Sequence, residues 1–480
     1  MSARRSTIWT FAITSIALFM VALDNLVVTT ALPVIRADLG ASLTDLEWMV
    51  NAYTLTFAVL LLTGAALGDR FGRRRFFVIG LAIFTAGSAA AALAPSSDVL
   101  ILARAIQGLG GAFVTPLSLT ILSAAVPPER RAVALGAWGG IAGLAIAIGP
   151  LVGGAIAEGV SWHWIFWLNV PIGIVAVILS VLRLQESHGP DGALDLPGLG
   201  LVSAGLFALV WGVIHGNDRG WTDPQIVGAL AIGAVLIGAF LIWESRTASP
   251  MLPLRFFRSR AFSAANVVSF LMYFGVFGAV FLLVQFFQVV QGLSPFQSGL
   301  RTLPWTAMPA FVAPIAGLLA GRIGGRPILV AGMVLLSAGL AWIAAVTTPT
   351  VEYLLLVPGF VFAGIGMGLF FAPIANVVRS AGRPIEEGQA SGATNTIREI
   401  GGVFGVAVLA SVFSSSGSYA TPTQFVDGLV PAVWVGAAIV AVGAVVALAL
   451  PGRARRAEAF SGDVAAAPVA RSGMTAPTAG

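Results

Sequence analysis

The chain has no cysteine and no lysine, and each absence closes off a body of chemistry. Without cysteine there is no disulfide, no thiolate nucleophile and no cysteine-ligated zinc. Without lysine there is no phosphate-loop lysine, so the chain cannot drive itself directly with ATP through that motif. His163, His188 and His215 are the only histidines, and they form no metal-ligand spacing, so no metal site is expected. Charge is scarce too: 10% of the 480 residues are charged and 58% are hydrophobic. A mean hydropathy of +0.93 excludes an ordinary soluble domain. The net charge of +5 sits in arginine clusters between apolar runs, an arrangement suited to anionic lipid headgroups that gives no support to nucleic-acid binding.

What the sequence has instead is a succession of apolar runs, each roughly 20 residues and long enough to cross a bilayer. They fall at about 9–31, 48–67, 76–94, 99–122, 133–156, 164–184, 196–215, 226–243, 263–287, 300–320, 327–346, 353–376, 394–413 and 429–450. These runs predict an all-α polytopic membrane protein of about fourteen spans. Arg4 and Arg5 precede a first run too long for a signal-peptide core, so it is read as an uncleaved span. With alternating spans, all but four of the 26 arginines lie in or beside cytoplasmic segments, the exceptions being Arg36, Arg104, Arg219 and Arg301. Both termini are then cytoplasmic, and the tail 451–480, rich in Ala, Pro and Arg, is expected to be disordered.

The most charged turn is Leu67-Gly68-Asp69-Arg70-Phe71-Gly72-Arg73-Arg74-Arg75. Gly68 and Gly72 permit close backbone approach, and Asp69 is placed to accept from a neighbouring arginine or a helix N-terminus. Leu319-Ala320-Gly321-Arg322-Ile323-Gly324-Gly325-Arg326 echoes it, with Gly321 in place of Asp69. The echo divides the chain into a six-helix half at 1–185, two linker spans at 186–261, a second half at 262–450 and the tail.

Asp24 is the acid read as lying well inside a span, where an ionised carboxylate costs roughly 2.5–3.5 kcal/mol. It is either a proton carrier or a permanently hydrogen-bonded acid beside Asn25, Thr29 and Thr30. Arg104 cannot carry a proton but can modulate a nearby acid, unless it simply faces cytoplasmic water. Around Pro150, the glycines Gly139, Gly143, Gly149, Gly153 and Gly154 predict a close-packing helix face with a possible gating role. Gly364-Ile365-Gly366-Met367-Gly368 lies inside an apolar span with no strand before it, which excludes a nucleotide-binding loop. Phe270, Phe274, Phe277 and Phe281 share a helical face, with Tyr273, Gln285 and Gln288 nearby; that stripe either stacks on cargo or packs against helices and lipid. Candidate pocket residues are Asn25, Gln107, Phe113, Trp138, Phe274, Phe277, Gln285 and Trp305, with Met308 beside the last.

Further stretches carry a family resemblance. Leu23-Asp24-Asn25-Leu26-Val27-Val28-Thr29-Thr30-Ala31-Leu32-Pro33, Arg104-Ala105-Ile106-Gln107-Gly108-Leu109-Gly110-Gly111 and Gly139 to Gly154, ending Gly149-Pro150-Leu151-Val152-Gly153-Gly154, resemble motifs of the major facilitator superfamily, the last its fifth-span antiporter motif. Trp162 to Gly173, Gln291 to Pro295 and Gly388 to Arg398 resemble its fourteen-span drug:proton antiporter branch. His163, where an arginine is usual, and Ala65, in place of a leading glycine, depart from the pattern. The resemblance implies two six-helix halves plus two central helices, exporting amphipathic molecules by alternating access. It implies proton coupling through Asp24 and Arg104, and gating through Gly68, Asp69, Arg70, Gly72, Arg73, Gly149, Pro150, Gly153 and Gly154. The expected partners are lipophilic or cationic small molecules, protons and the lipid of a bacterial cell membrane, with no organic cofactor and a monomeric working unit. A dedicated carrier of one metabolite, such as a self-made antibiotic, is the alternative on the same fold. A membrane enzyme is disfavoured because no catalytic constellation converges in the spans.

Overall fold

The computed structural model describes residues 3–189, 194–379 and 387–450; the tail 451–480 lies outside the described residues. The described chain is helical. The first group comprises α1 (Ala3–Leu39), α2 (Leu43–Phe71), α3 (Arg73–Ala92), α4 (Ser97–Ala125), α5 (Pro128–Gly159), a short α6 (His163–Trp167) and α7 (Asn169–Arg183). Next come α8 (Leu196–Arg219) and α9 (Pro224–Arg246). The last group is α10 (Arg260–Gln285), α11 (Pro295–Thr306), α12 (Met308–Ile323), α13 (Gly325–Val346), α14 (Tyr353–Arg379), α15 (Glu387–Ser416) and α16 (Pro422–Ala447).

Thirteen helical stretches are long and apolar enough to span a membrane, and α5, bent by 40° near its middle, brings the number to fourteen. In that count α6 continues into α7, α11 into α12, and α10 into a π-helical turn at Phe286–Val290. Helix starts follow local chemistry. Ser42 and Ser294 make full capping boxes with Asp45 and Gln297, while Ser96, Asp195, Asp223 and Thr421 accept first-turn N–H groups. The Ser42 cap starts α2 ahead of its apolar run, so Glu47 lies within that helix; Glu399 lies within α15, and both acids are buried. Asp24 is therefore not the only acid deep in a helix.

Gly72 and Gly324 each end one helix and begin the next at positive φ, +114° and +90°, a backbone conformation that favours glycine. The two turns matched in the sequence thus have corresponding geometry. In the first group α1 packs on α4 and α5, and α4 on α2 and α3; in the last, α10 packs on α15 and α16, and α13 on α14 and α16. The groups meet mainly where α2 lies on α15 and α5 on α11, while α8 and α9 pair with each other and α8 rests on α2 and α15.

Candidate functional site

Asp24, Arg104 and Gln107 come together in a closed polar cluster inside the first group, and Asn169 completes it. Arg104 Nη1 donates to Asp24 Oδ2 in a fully buried ion pair. Asp24 Oδ1 accepts from Asn169 Nδ2 at 2.7 Å and from Gln107 Nε2 at 3.1 Å. Arg104 also donates to Gln107 Oε1 at 2.9 Å and through Nε to the Met49 carbonyl at 3.1 Å, and its guanidinium lies 4.3 Å from the centre of the Tyr53 ring. Gln107 Nε2 further donates to Ser88 Oγ, which donates to the Phe84 carbonyl. One carboxylate thus ties α1 to α4 and to the start of α7. Asn169, Ser88 and Tyr53 are members that sequence reasoning passed over; Asn169 lay in plain view as a polar residue in an apolar run, but nothing local says that it faces Asp24. The threonines do not join the cluster: Thr29 donates to the Leu26 carbonyl, and the Thr30 hydroxyl is buried without a partner among the described residues. The Asn25 side chain lies outside the described residues.

Beside this cluster, between the two groups, is a cavity of about 60 Å³. Leu26, Thr29, Val50 and Pro150 face Tyr273, Phe277, Phe281, Thr302 and Trp305 across it, and none of its lining residues carries a charge. Its volume is well below the roughly 300 Å³ at which ligand pockets begin. Phe277 and Trp305 are the pocket candidates that line it. The aromatic stripe divides: Phe270 and Phe274 press their backbones against Gly401 and Gly405 of α15, whereas Phe277 and Phe281 reach the cavity. Phe113 packs on Gly64 and Gly80 and meets Phe76 edge-on, away from the lining. Gln285 donates to the Phe281 carbonyl and accepts from the Tyr419 hydroxyl. Trp138 is half-buried with its indole N–H unpartnered among the described residues, and it too lies outside the lining.

Helix α5 is sealed at one end and open at the other. A Cβ on Gly149 would come within 2.9 Å of Leu26, and one on Gly153 within 2.7 Å of the Val27 carbonyl. Gly154 sits on the Pro295 carbonyl and Gly299 on the Pro150 carbonyl, each with only 2.3 Å to an added Cβ. Two glycine–proline pairs therefore clasp α5 to α11 reciprocally. Gly139 and Gly143 differ from the sequence expectation: nothing lies within 4 Å of a Cβ at either. The face expected to pack along its length packs only beyond the bend, where α5 lies on α1 and α11.

The arginine turn is held by the chain that follows α7. Asp69 pairs with Arg73 at 2.7 Å, its carbonyl accepts from Gly189 N, and Arg73 N donates to the Ser187 carbonyl. The N-terminus of α3 is capped by Glu186, whose carboxylate accepts from Arg74 N at 2.8 Å and Arg75 N at 3.2 Å. Gly68 packs on Leu117, Gly72 backs onto the Glu186 carboxylate, and Arg70 is exposed over the Phe71 ring. In the excluded glycine run, Gly364 and Gly366 lie on the carbonyls of Trp305 and Gly332, a use in helix packing.

A family profile described as Major Facilitator Superfamily matches residues 14–406, with an overlapping second match over 269–474. The chain belongs to the Major Facilitator Superfamily. It is 34% identical to the tetracenomycin C resistance and export protein of Streptomyces glaucescens, over 90% of this chain and 81% of that one. It is 37% identical to multidrug resistance protein Stp of Mycobacterium tuberculosis, over 86% and 76%. It is also 38% identical to the cephamycin export protein CmcT of Amycolatopsis lactamdurans, over 94% of each. Among solved structures, a POT family transporter superposes with a TM-score of 0.69, at 14% identity over 96% of each chain. A bacterial homologue of the lysosomal transporter Spinster gives 0.65, at 16% identity over 92% of this chain and 96% of that one. The protein is thus a multi-pass membrane protein with the fold of a small-molecule transporter.

Proposed function

We propose that the protein exports amphipathic small organic molecules across a bacterial cell membrane in exchange for protons, by alternating access, with the arginine turn and both termini in the cytoplasm. The relatives named for resistance and export support the direction and the kind of cargo. The observation that carries the coupling is the buried Asp24–Arg104 pair with its two amide donors. A proton on Asp24 would cancel the charge that a buried guanidinium depends on, and an unpaired buried charge costs about 3–5 kcal/mol. Proton uptake is therefore tied to a rearrangement of α1 against α4 that gives Arg104 another partner or water. Clasped at α5 and α11, with Gly139 and Gly143 uncovered on the half of α5 toward the arginine turn, the fold corresponds in this reading to the state that receives cargo from the cytoplasm. The uncharged lining suits lipophilic, planar cargo stacked on Phe277 and Trp305.

Accumulation of a fluorescent lipophilic compound, with and without a protonophore, in cells lacking other pumps tests this reading. Protonophore-sensitive exclusion supports it; unchanged accumulation on expression refutes it. A dedicated carrier is the second reading, favoured by the relatives named for one compound each; resistance confined to a single compound would select it.

A further inference from the structure

Asp195 and Glu244 lie on the two linker helices at the end of the bundle that carries the arginine turn. Asp195 caps the first turn of α8, and Glu244 sits in the last turn of α9. Each carboxylate is held from one side by N–H donors. Asp195 Oδ1 accepts from Gly198 N at 2.8 Å and from Trp243 Nε1 at 2.7 Å, and Glu244 Oε2 accepts from Leu252 N at 3.1 Å. The other oxygens, Asp195 Oδ2 and Glu244 Oε1, are shut from solvent with no donor among the described residues. The Asp195 carboxylate is tied to the indole of Trp243, the residue next to Glu244, so the two acids are neighbours, and Glu244 as a whole is 3% exposed. Among the described residues, Asp195 is the charged group beside Glu244, and the backbone N–H of Leu252 donates to it.

Two bare carboxylate oxygens out of water repel each other and leave both unsatisfied, whereas one proton between them supplies the missing donor and removes half the charge. We propose that Asp195 and Glu244 form a proton-binding site, with one proton taken from solvent and held between Asp195 Oδ2 and Glu244 Oε1. Its occupancy locks α8 to α9 and seats the connector at Met251 and Leu252. Those two residues pack in a cluster with Val202, Phe240, Val59 of α2 and Val403 of α15, so the proton bears on a contact between the two halves. Stability from the shared proton is present at low pH and is lost as pH rises and the proton leaves.

The test uses the full chain in detergent or nanodiscs with a chelator present, following thermal midpoint and the infrared band of protonated carboxyl groups from about pH 6 to about pH 9. Asp195→Asn and Glu244→Gln each preserve the N–H contacts and supply an amide donor in place of the proton. Asp223→Asn, altering a cap at the far end of α9, is the control. The expected result is a wild-type and control midpoint that falls with rising pH, flatter curves for the two amide variants, and a titrating carboxyl band that both amide variants lack. Parallel curves for all four proteins overturn the proposal. So does a wild-type band that does not titrate, a measurement that needs no variant. Stabilisation at high pH by added calcium or magnesium, reversed by chelation and abolished in both amide variants, would assign the site to a metal and overturn it equally.

Discussion

Gly154→Ala tests the reciprocal clasp between α5 and α11 directly. The added Cβ would lie 2.3 Å from the Pro295 carbonyl oxygen and 2.7 Å from the Phe296 Cα, both of them backbone atoms at a helix start that cannot swing aside as a side chain would. Overpacking of this kind costs about 1–3 kcal/mol. If that cost falls only on the state with the clasp closed, the equilibrium shifts away from it by roughly 5- to 150-fold. Because the chain has no cysteine, a single cysteine placed at Val280 in the cavity wall reports the opening cleanly. The expected result is faster reaction of Val280→Cys with a membrane-impermeant maleimide added outside when Gly154→Ala is present, with reduced export. Gly139→Ala is the internal control, the same change on the same helix where nothing lies within 4 Å, and should leave both readouts unchanged. If the two alanine variants behave alike at equal expression, the contact is packing without a bearing on closure and the reasoning fails.

Asp24→Asn is expected to abolish coupled export and to lower stability by about 3–5 kcal/mol, since it strips Arg104 of its partner inside the protein. The double variant Asp24→Asn, Arg104→Gln should recover expression and thermal midpoint but not uphill export under an imposed pH gradient; recovery of both would make the pair purely structural. Gly72→Ala forces a side chain onto φ +114° and to within 2.9 Å of the Glu186 carboxyl carbon, so a loss of about 1–3 kcal/mol is expected in thermal unfolding. Glu186→Ala removes the cap of α3 and should cost about 0.5–2 kcal/mol, measurable in the same assay; a variant as stable as the wild type would remove Glu186 from the account.

How much could be read in advance depended on the range of the interaction. The apolar runs and the matched turns at Gly72 and Gly324 rest on neighbours a few residues away, and these were legible. The Asp24–Arg104 pair was legible in part: each is an expensive residue in an apolar run, yet their meeting, with Asn169 as a third member, depends on how α1, α4 and α7 lean together. Periodicity placed the phenylalanines of α10 on one face but could not say which of them α15 would claim, since that rests on Gly401 and Gly405 lying opposite Phe270 and Phe274. The same limit explains α5, whose glycines repeat along the helix while only those beyond the bend find a partner. Glu47 falls just outside the apolar run at 48–67, because a charge lowers the local hydropathy and closes the run early. A helix does not stop where hydropathy falls; it stops where its backbone is capped, and the Ser42 cap lies outside Glu47. Burial is then imposed by the helices that pack over it, and both Glu47 Oε2 and the amide of Asn51 one turn further in are left without partners among the described residues. An acid at the edge of an apolar run therefore has to be judged by what covers it in three dimensions, which for α2 means α4 and α15 with α3 and α8 beside them.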